Sequence, residues 1–152
     1  MVFREAVPGD ADAIARLKVG AWRAAYDERL TAGLDGRIEA AEWRAYLEER
    51  PGEDRLWVAE DGGALLGYAR TSPGEVRGLY VDPDRIGTGL GHALFRYAVD
   101  DLRLRGSRSV VVWHFVGNDR AARFYAREGM RFDDGRRPSD FGVDEVRWRL
   151  EL

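Results

Sequence analysis

Leu79-Tyr80-Val81-Asp82-Pro83-Asp84-Arg85-Ile86-Gly87-Thr88-Gly89-Leu90-Gly91-His92-Ala93-Leu94 is the stretch on which the reading of the fold turns. An apolar strand runs into a glycine-rich loop, and the loop runs into a helix. Glycines at 87, 89 and 91 carry no side chain, so the backbone can come close to a ligand. Loop N–H groups and the start of the following helix suit an anion, a diphosphate above all. A tight turn that needs positive φ would use the same residues. Spacing then discriminates. A dinucleotide fingerprint wants a third glycine where His92 or Leu94 stands, and an NTPase phosphate loop ends in Gly-Lys-Ser/Thr. The only lysine of the chain is Lys18.

Downstream, Leu90 to about Leu104 reads as an amphipathic helix with Leu90, Leu94, Tyr97, Ala98 and Leu102 inward. Val110-Val111-Val112-Trp113-His114-Phe115 is nearly all apolar and predicts a strand buried on both faces. Asn118 is placed to cap a short helix through about Glu128, which Gly129 ends in the left-handed conformation. Asp133 to Gly142, with Arg136-Arg137-Pro138, reads as a flexible loop suited to a lid or a dimer contact. Val146, Trp148, Leu150 and Leu152 then alternate as one face of a last strand.

Upstream, Val2 to Ala6 is strand-like, and Asp10 is placed to cap a helix with Ile14, Leu17, Ala21, Trp22 and Ala25 on one stripe. A second helix after Asp35-Gly36 turns Trp43, Tyr46 and Leu47 inward. Two apolar runs, Leu56 to Ala59 and Ala64 to Ala69, flank Asp61-Gly62-Gly63 and predict a hairpin. Glu75 to Val81 follows the Ser72-Pro73-Gly74 turn as a third strand, antiparallel to the second. The sum is an α+β sheet protein, one domain over 1–152, with helices on the sheet faces.

Bulk properties narrow the function. The 152 residues are 45% hydrophobic and 34% charged, as expected of a globular chain. A net charge of -3 provides no strong field toward nucleic acid or membrane. No cysteine is present, which excludes disulfides and thiolate sites. With His92 and His114 the only histidines, no metal site is expected. Met1 to Glu5 lacks a basic start and apolar run, and no stretch reaches the ~20 apolar residues of a membrane span. A cytoplasmic protein is the expectation.

The glycine loop resembles the coenzyme A diphosphate loop of the GNAT superfamily of N-acetyltransferases. Leu79-Tyr80-Val81-Asp82-Pro83 is similar to that family's strand into the loop. Asn118-Asp119-Arg120-Ala121-Ala122-Arg123-Phe124-Tyr125-Ala126-Arg127-Glu128-Gly129-Met130 resembles its second motif. Arg4-Glu5-Ala6 with Asp10, and Trp22-Arg23-Ala24-Ala25-Tyr26, are similar to its opening strand and first helix. The resemblance spans nearly the whole chain in order. It departs at Ile86, where the family usually has Arg or Gln; Arg85 stands next to it.

The resemblance implies a mixed, mostly antiparallel twisted sheet flanked by helices, and acetyl-coenzyme A as co-substrate. It implies an N-acetyltransferase moving an acetyl group to a primary amine, on a small molecule or a protein, by direct attack in a ternary complex. A non-catalytic acyl-coenzyme A sensor is the alternative. Leu79, Tyr80, Val81, Ile86, Gly87, Thr88, Gly89, Leu90, Gly91 and Asn118 are the implied cofactor-binding residues. Tyr125 is similar to the family's acid for the leaving thiolate, and Leu79 or Tyr80 would offer a backbone N–H to the acetyl oxygen. Glu75 is the candidate general base, and Trp22 and Tyr26 candidate walls of the acceptor pocket. Trp43, Tyr46, Asp27 and Glu28 extend that pocket toward a cationic amine. His114 reads as a satisfied sheet residue or a second base. Dimers are common in the fold, and the oligomeric state stays open.

Overall fold

The computed structural model describes residues 1–49 and 52–152. Seven strands form one sheet: β1 Val2–Glu5, β2 Arg55–Asp61, β3 Ala64–Ser72, β4 Glu75–Val81, β5 Ser109–Phe115, β6 Arg131–Arg137 and β7 Glu145–Glu151. Their order is β1-β2-β3-β4-β5-β7-β6. Every neighbouring pair is antiparallel except β4 and β5. The helices are α1 Ala11–Ala25, α2 Glu28–Thr31, α3 Gly36–Glu49, α4 Leu90–Leu104 and α5 Asp119–Arg127. This is the mixed, mostly antiparallel α+β architecture expected from the sequence. Among the described residues no helix is long and apolar enough to cross a membrane.

Side-chain alternation splits the core into two layers. Leu56, Val58 and Tyr68 point to one face, where Ile14, Leu17, Trp43 and Leu47 of α1 and α3 cover them. Ala69 points to the other face and meets Leu94 and Ala98 of α4. Val110 and Val112 of β5 join Phe95, Val99 and Leu102 of α4 and Tyr125 of α5 on that side. Leu94 and Phe95 are fully buried, each contributing about 1.5–3 kcal/mol.

The β4–β5 junction shapes everything that follows. The two strands share one ladder pair, Glu75 opposite Val111, fixed by a 2.9 Å bond from Val111 N–H to Gly74 C=O. Beyond it they part. On its other edge β4 carries a bulge: Gly78 faces Arg70 and Val76 faces Thr71, so Arg77 is the extra residue. A bulge bends its strand and raises its twist, which turns β4 away from β5.

Four local expectations are corrected. Asp10 does not cap α1, because Arg4 at 2.8 Å and Val7 N–H at 2.8 Å take its carboxylate. Tyr97 stays 36% exposed, edge-on to Phe3 and Trp57 at the rim of α4. β5 is not buried on both faces: Val111 and Trp113 are half-buried, and Arg137 and Arg147 lie over the Trp113 ring. Finally, residues 133–137 are not loop but part of β6. Asp133 binds Arg147 at 2.7 Å and Arg136 binds Asp144 at 2.7 Å, and these pairs help hold a polar edge strand on β7.

Candidate active site

Where β4 and β5 part, a cavity of about 650 Å³ opens. Its wall runs from the glycine loop, along Leu79, Tyr80 and Val81, past Phe124 and Tyr125, to Trp22, Tyr26, Trp113 and Phe115. The gap lets the cavity pass from the α4–α5 side of the sheet to the α1 side.

At the first end, Gly87 and Gly89 adopt φ of 82° and 89°. A side chain is strained in that region, which explains why glycine stands at both. Gly89 is the N-cap of α4. The N–H groups of Gly87, Gly89, Leu90, Gly91 and His92 have no acceptor among the described residues. Gly91 packs its backbone beside Phe124, 3.4 Å from an added Cβ. Arg85, Arg120 and Arg127 line the cavity and have no carboxylate within ion-pair reach among the described residues, Arg120 lying toward Tyr26. Five donors, a helix start and free guanidiniums make an anion cradle. Thr88 and Leu90 do not line the cavity. Thr88 spends its hydroxyl on Arg85 C=O, and the Leu90 side chain is buried against Ala59 and Leu66. Ile86 lines it with an apolar, half-exposed side chain.

Midway, β4 exposes its free edge. Asp82 N–H donates to Leu66 C=O at 2.8 Å. Bonding alternates residue by residue in an antiparallel ladder, so Tyr80, opposite Tyr68, turns its backbone to β3. Leu79 and Val81 turn theirs into the gap. Tyr125 reaches the same region from α5, and burial raises its hydroxyl above the ordinary tyrosine value. Burial also pushes the Tyr80 hydroxyl up to about 12, and that oxygen accepts from the Trp22 indole at 3.1 Å.

Asn118 joins the two ends. Its Oδ1 accepts from Ala121 N–H at 3.1 Å, the expected cap, and its Nδ2 donates to the Tyr26 hydroxyl at 2.8 Å. At the far end Trp22, Tyr26 and Phe115 pack edge to face, and Phe141 closes over Trp22 and Phe115.

This sequence matches the model of the Acetyltransferase (GNAT) family over residues 20–130. The chain belongs to the GNAT acetyltransferase family. An uncharacterized N-acetyltransferase of Methanocaldococcus jannaschii is 33% identical over 88 residues, 51% of this chain and 39% of that one. The mycothiol acetyltransferase of Cellulomonas flavigena is 35% identical over 147 residues, 85% of this chain and 40% of that one. The chain thus spans about two fifths of the length of these curated relatives. The PaiA N-acetyltransferase of Thermoplasma acidophilum, solved with coenzyme A, superposes with a TM-score of 0.80 at 15% identity, over 99% of this chain and 98% of that one.

Against this GNAT frame, several sequence-level candidates fall outside the cavity. Glu75 stands at the closed β4–β5 junction, 3.9 Å from Arg77, and does not line the cavity. Trp43 and Tyr46 belong to the α1–α3 core. Asp27 caps α2 by accepting from Arg29 N–H. His114, by contrast, lines the cavity, but both of its nitrogens are engaged. Trp148 Nε1–H, which can only donate, lies 2.9 Å from its Nε2, and Phe115 C=O lies 2.8 Å from its Nδ1. The proton therefore sits on Nδ1 and the lone pair on Nε2 is taken. Two carboxylates that the sequence reading passed over do line the cavity, Glu145 and Glu128. Glu145 Oε1 accepts from Arg137 at 3.1 Å, and Oε2 has no partner among the described residues. Glu128 is buried under His92 and Arg96.

Proposed function

We propose that this GNAT enzyme transfers the acetyl group of acetyl-coenzyme A to a primary amine by direct attack in a ternary complex. One observation carries the reading: a single cavity joins an anion cradle, an unpaired strand edge with a tyrosine hydroxyl, and an aromatic chamber with a carboxylate. The cradle fits a diphosphate, and the strand edge of Leu79 and Val81 fits the amides of an extended arm. Asn118 keeps one amide hydrogen for the same arm.

The chemistry needs three services, and each has a residue. An amine is mostly protonated at neutral pH, so a base must take its proton. Glu145, with its free Oε2 in the aromatic chamber of Trp22 and Tyr26, is assigned that role in place of Glu75. The tetrahedral oxyanion needs a donor, and Leu79 N–H, pointing into the gap, provides it; Tyr80 N–H is committed to β3. The departing thiolate needs a proton, and Tyr125, kept protonated by burial, gives it.

Thiol release from acetyl-coenzyme A, measured over a panel of primary amines, tests the reading. Release that depends on the amine and on Tyr125 supports it. Tight coenzyme A binding with no release for any amine would favour an acyl-coenzyme A sensor instead.

A further inference from the structure

Glu128 is a charged side chain in an unfavourable place. It closes the carboxy-terminal end of α5 as its C-cap, and its side chain is 5% exposed. A carboxylate there faces the negative end of the helix and loses its hydration. Two donors meet it from α4. Arg96 donates to Oε1 at 3.1 Å and to the Glu128 backbone carbonyl at 2.7 Å. His92 places Nδ1 2.6 Å from Oε2 and 2.8 Å from Oε1. Both oxygens can only accept, so Nδ1 carries a hydrogen. The other ring nitrogen, Nε2, has no partner among the described residues. The ring is 63% exposed and lines the cavity beside the unpaired N–H groups of Gly87, Gly89, Leu90 and Gly91.

We infer that His92, oriented by Glu128, is a phosphate-binding side chain that takes up a proton when coenzyme A binds. The inference rests on the cofactor reading above. With Nδ1–H fixed on the carboxylate, a proton added at Nε2 turns the ring into a donor toward the diphosphate. Imidazole changes charge close to neutral pH, and an anion at Nε2 favours its charged form. The ring contacts Glu128, which Arg96 of α4 also binds, and the charged residues Arg85, Arg120, Arg127 and Glu145 line the same cavity. No loop backbone donor needs a proton from solvent, which makes the uptake specific to this side chain.

Calorimetry of the full chain tests it. Coenzyme A is titrated at pH 7.5 in buffers of different ionisation enthalpy, and the slope of heat against that enthalpy counts protons. Dephospho-coenzyme A is titrated in parallel. It keeps the diphosphate but lacks the phosphomonoester, which itself titrates near pH 6. The expected result is uptake of a fraction of a proton with both ligands in the wild type and none in His92→Gln. That variant binds roughly five- to tenfold more weakly at pH 6.5, with the gap closing by pH 8.5. Glu128→Gln, which removes the carboxylate but not the ring, also lowers the uptake. Wild-type binding of either ligand without proton uptake, or an unchanged uptake in His92→Gln, overturns this inference alone. No binding of coenzyme A at all overturns the cofactor reading with it.

Discussion

Asn118 and Tyr26 lie 92 positions apart, yet the Asn118 amide donates to the Tyr26 hydroxyl at 2.8 Å. One residue thereby caps the helix that carries Tyr125 and fixes an aromatic wall of the cavity. Asn118→Ala removes both bonds and should cost about 1–2 kcal/mol, lowering the melting temperature by about 2–6 °C. Asn118→Asp keeps the cap acceptor but cannot donate to Tyr26. It should recover most of the stability while the KM for the amine stays raised. Equal recovery of both properties would uncouple the two jobs.

Tyr125→Phe removes only an oxygen from a packed ring. Turnover should fall by about two orders of magnitude or more while coenzyme A binds as before. Rate and binding are read by thiol release and calorimetry on the same preparation. A variant with wild-type turnover across pH removes Tyr125 from the chemistry.

The two carboxylates make a paired prediction. Glu145→Gln should lower kcat/KM for amines by roughly tenfold or more, and Glu75→Gln should change it by less than about threefold. The difference should be largest at neutral pH, where the amine arrives protonated. The reverse ranking would return the base role to Glu75.

Alkaline stability follows from the buried tyrosines. Burial pushes Tyr80 to about 12 and raises Tyr68 and Tyr125 as well, while an unfolded tyrosine ionises near 10. Between these values the unfolded chain has lost protons that the native state keeps. It then binds fewer protons, so stability falls as pH rises above about 10. Below pH 9 these groups contribute no slope. Urea midpoints from pH 8 to 11 should be flat at first and then decline; a flat profile throughout would contradict the burial argument.

How much of this was legible beforehand depended on the kind of interaction. The helix Leu90–Leu104 and its glycine entry could be read because backbone geometry and apolar period are local. The Asn118 cap could be read for the same reason. β6 could not, because Arg131-Phe132-Asp133-Asp134-Gly135-Arg136-Arg137 has no apolar alternation. Its strand exists through ion pairs to Arg147, Asp144 and Glu145, partners that only the fold brings near. Trp43 and Tyr46 looked like acceptor walls because helical spacing shows a face without showing what covers it. Glu128 and Glu145 gave no signal among so many surface charges, and their positions in the cavity come from tertiary packing alone.

The central claim is that backbone amides of residues 87 to 92 grip the diphosphate of coenzyme A. Amide chemical shifts of the 15N-labelled protein, followed as coenzyme A is added, test it most directly. The account predicts that the largest shifts fall on Gly87, Gly89, Leu90, Gly91 and His92. Saturable coenzyme A binding that leaves those five resonances in place would contradict it.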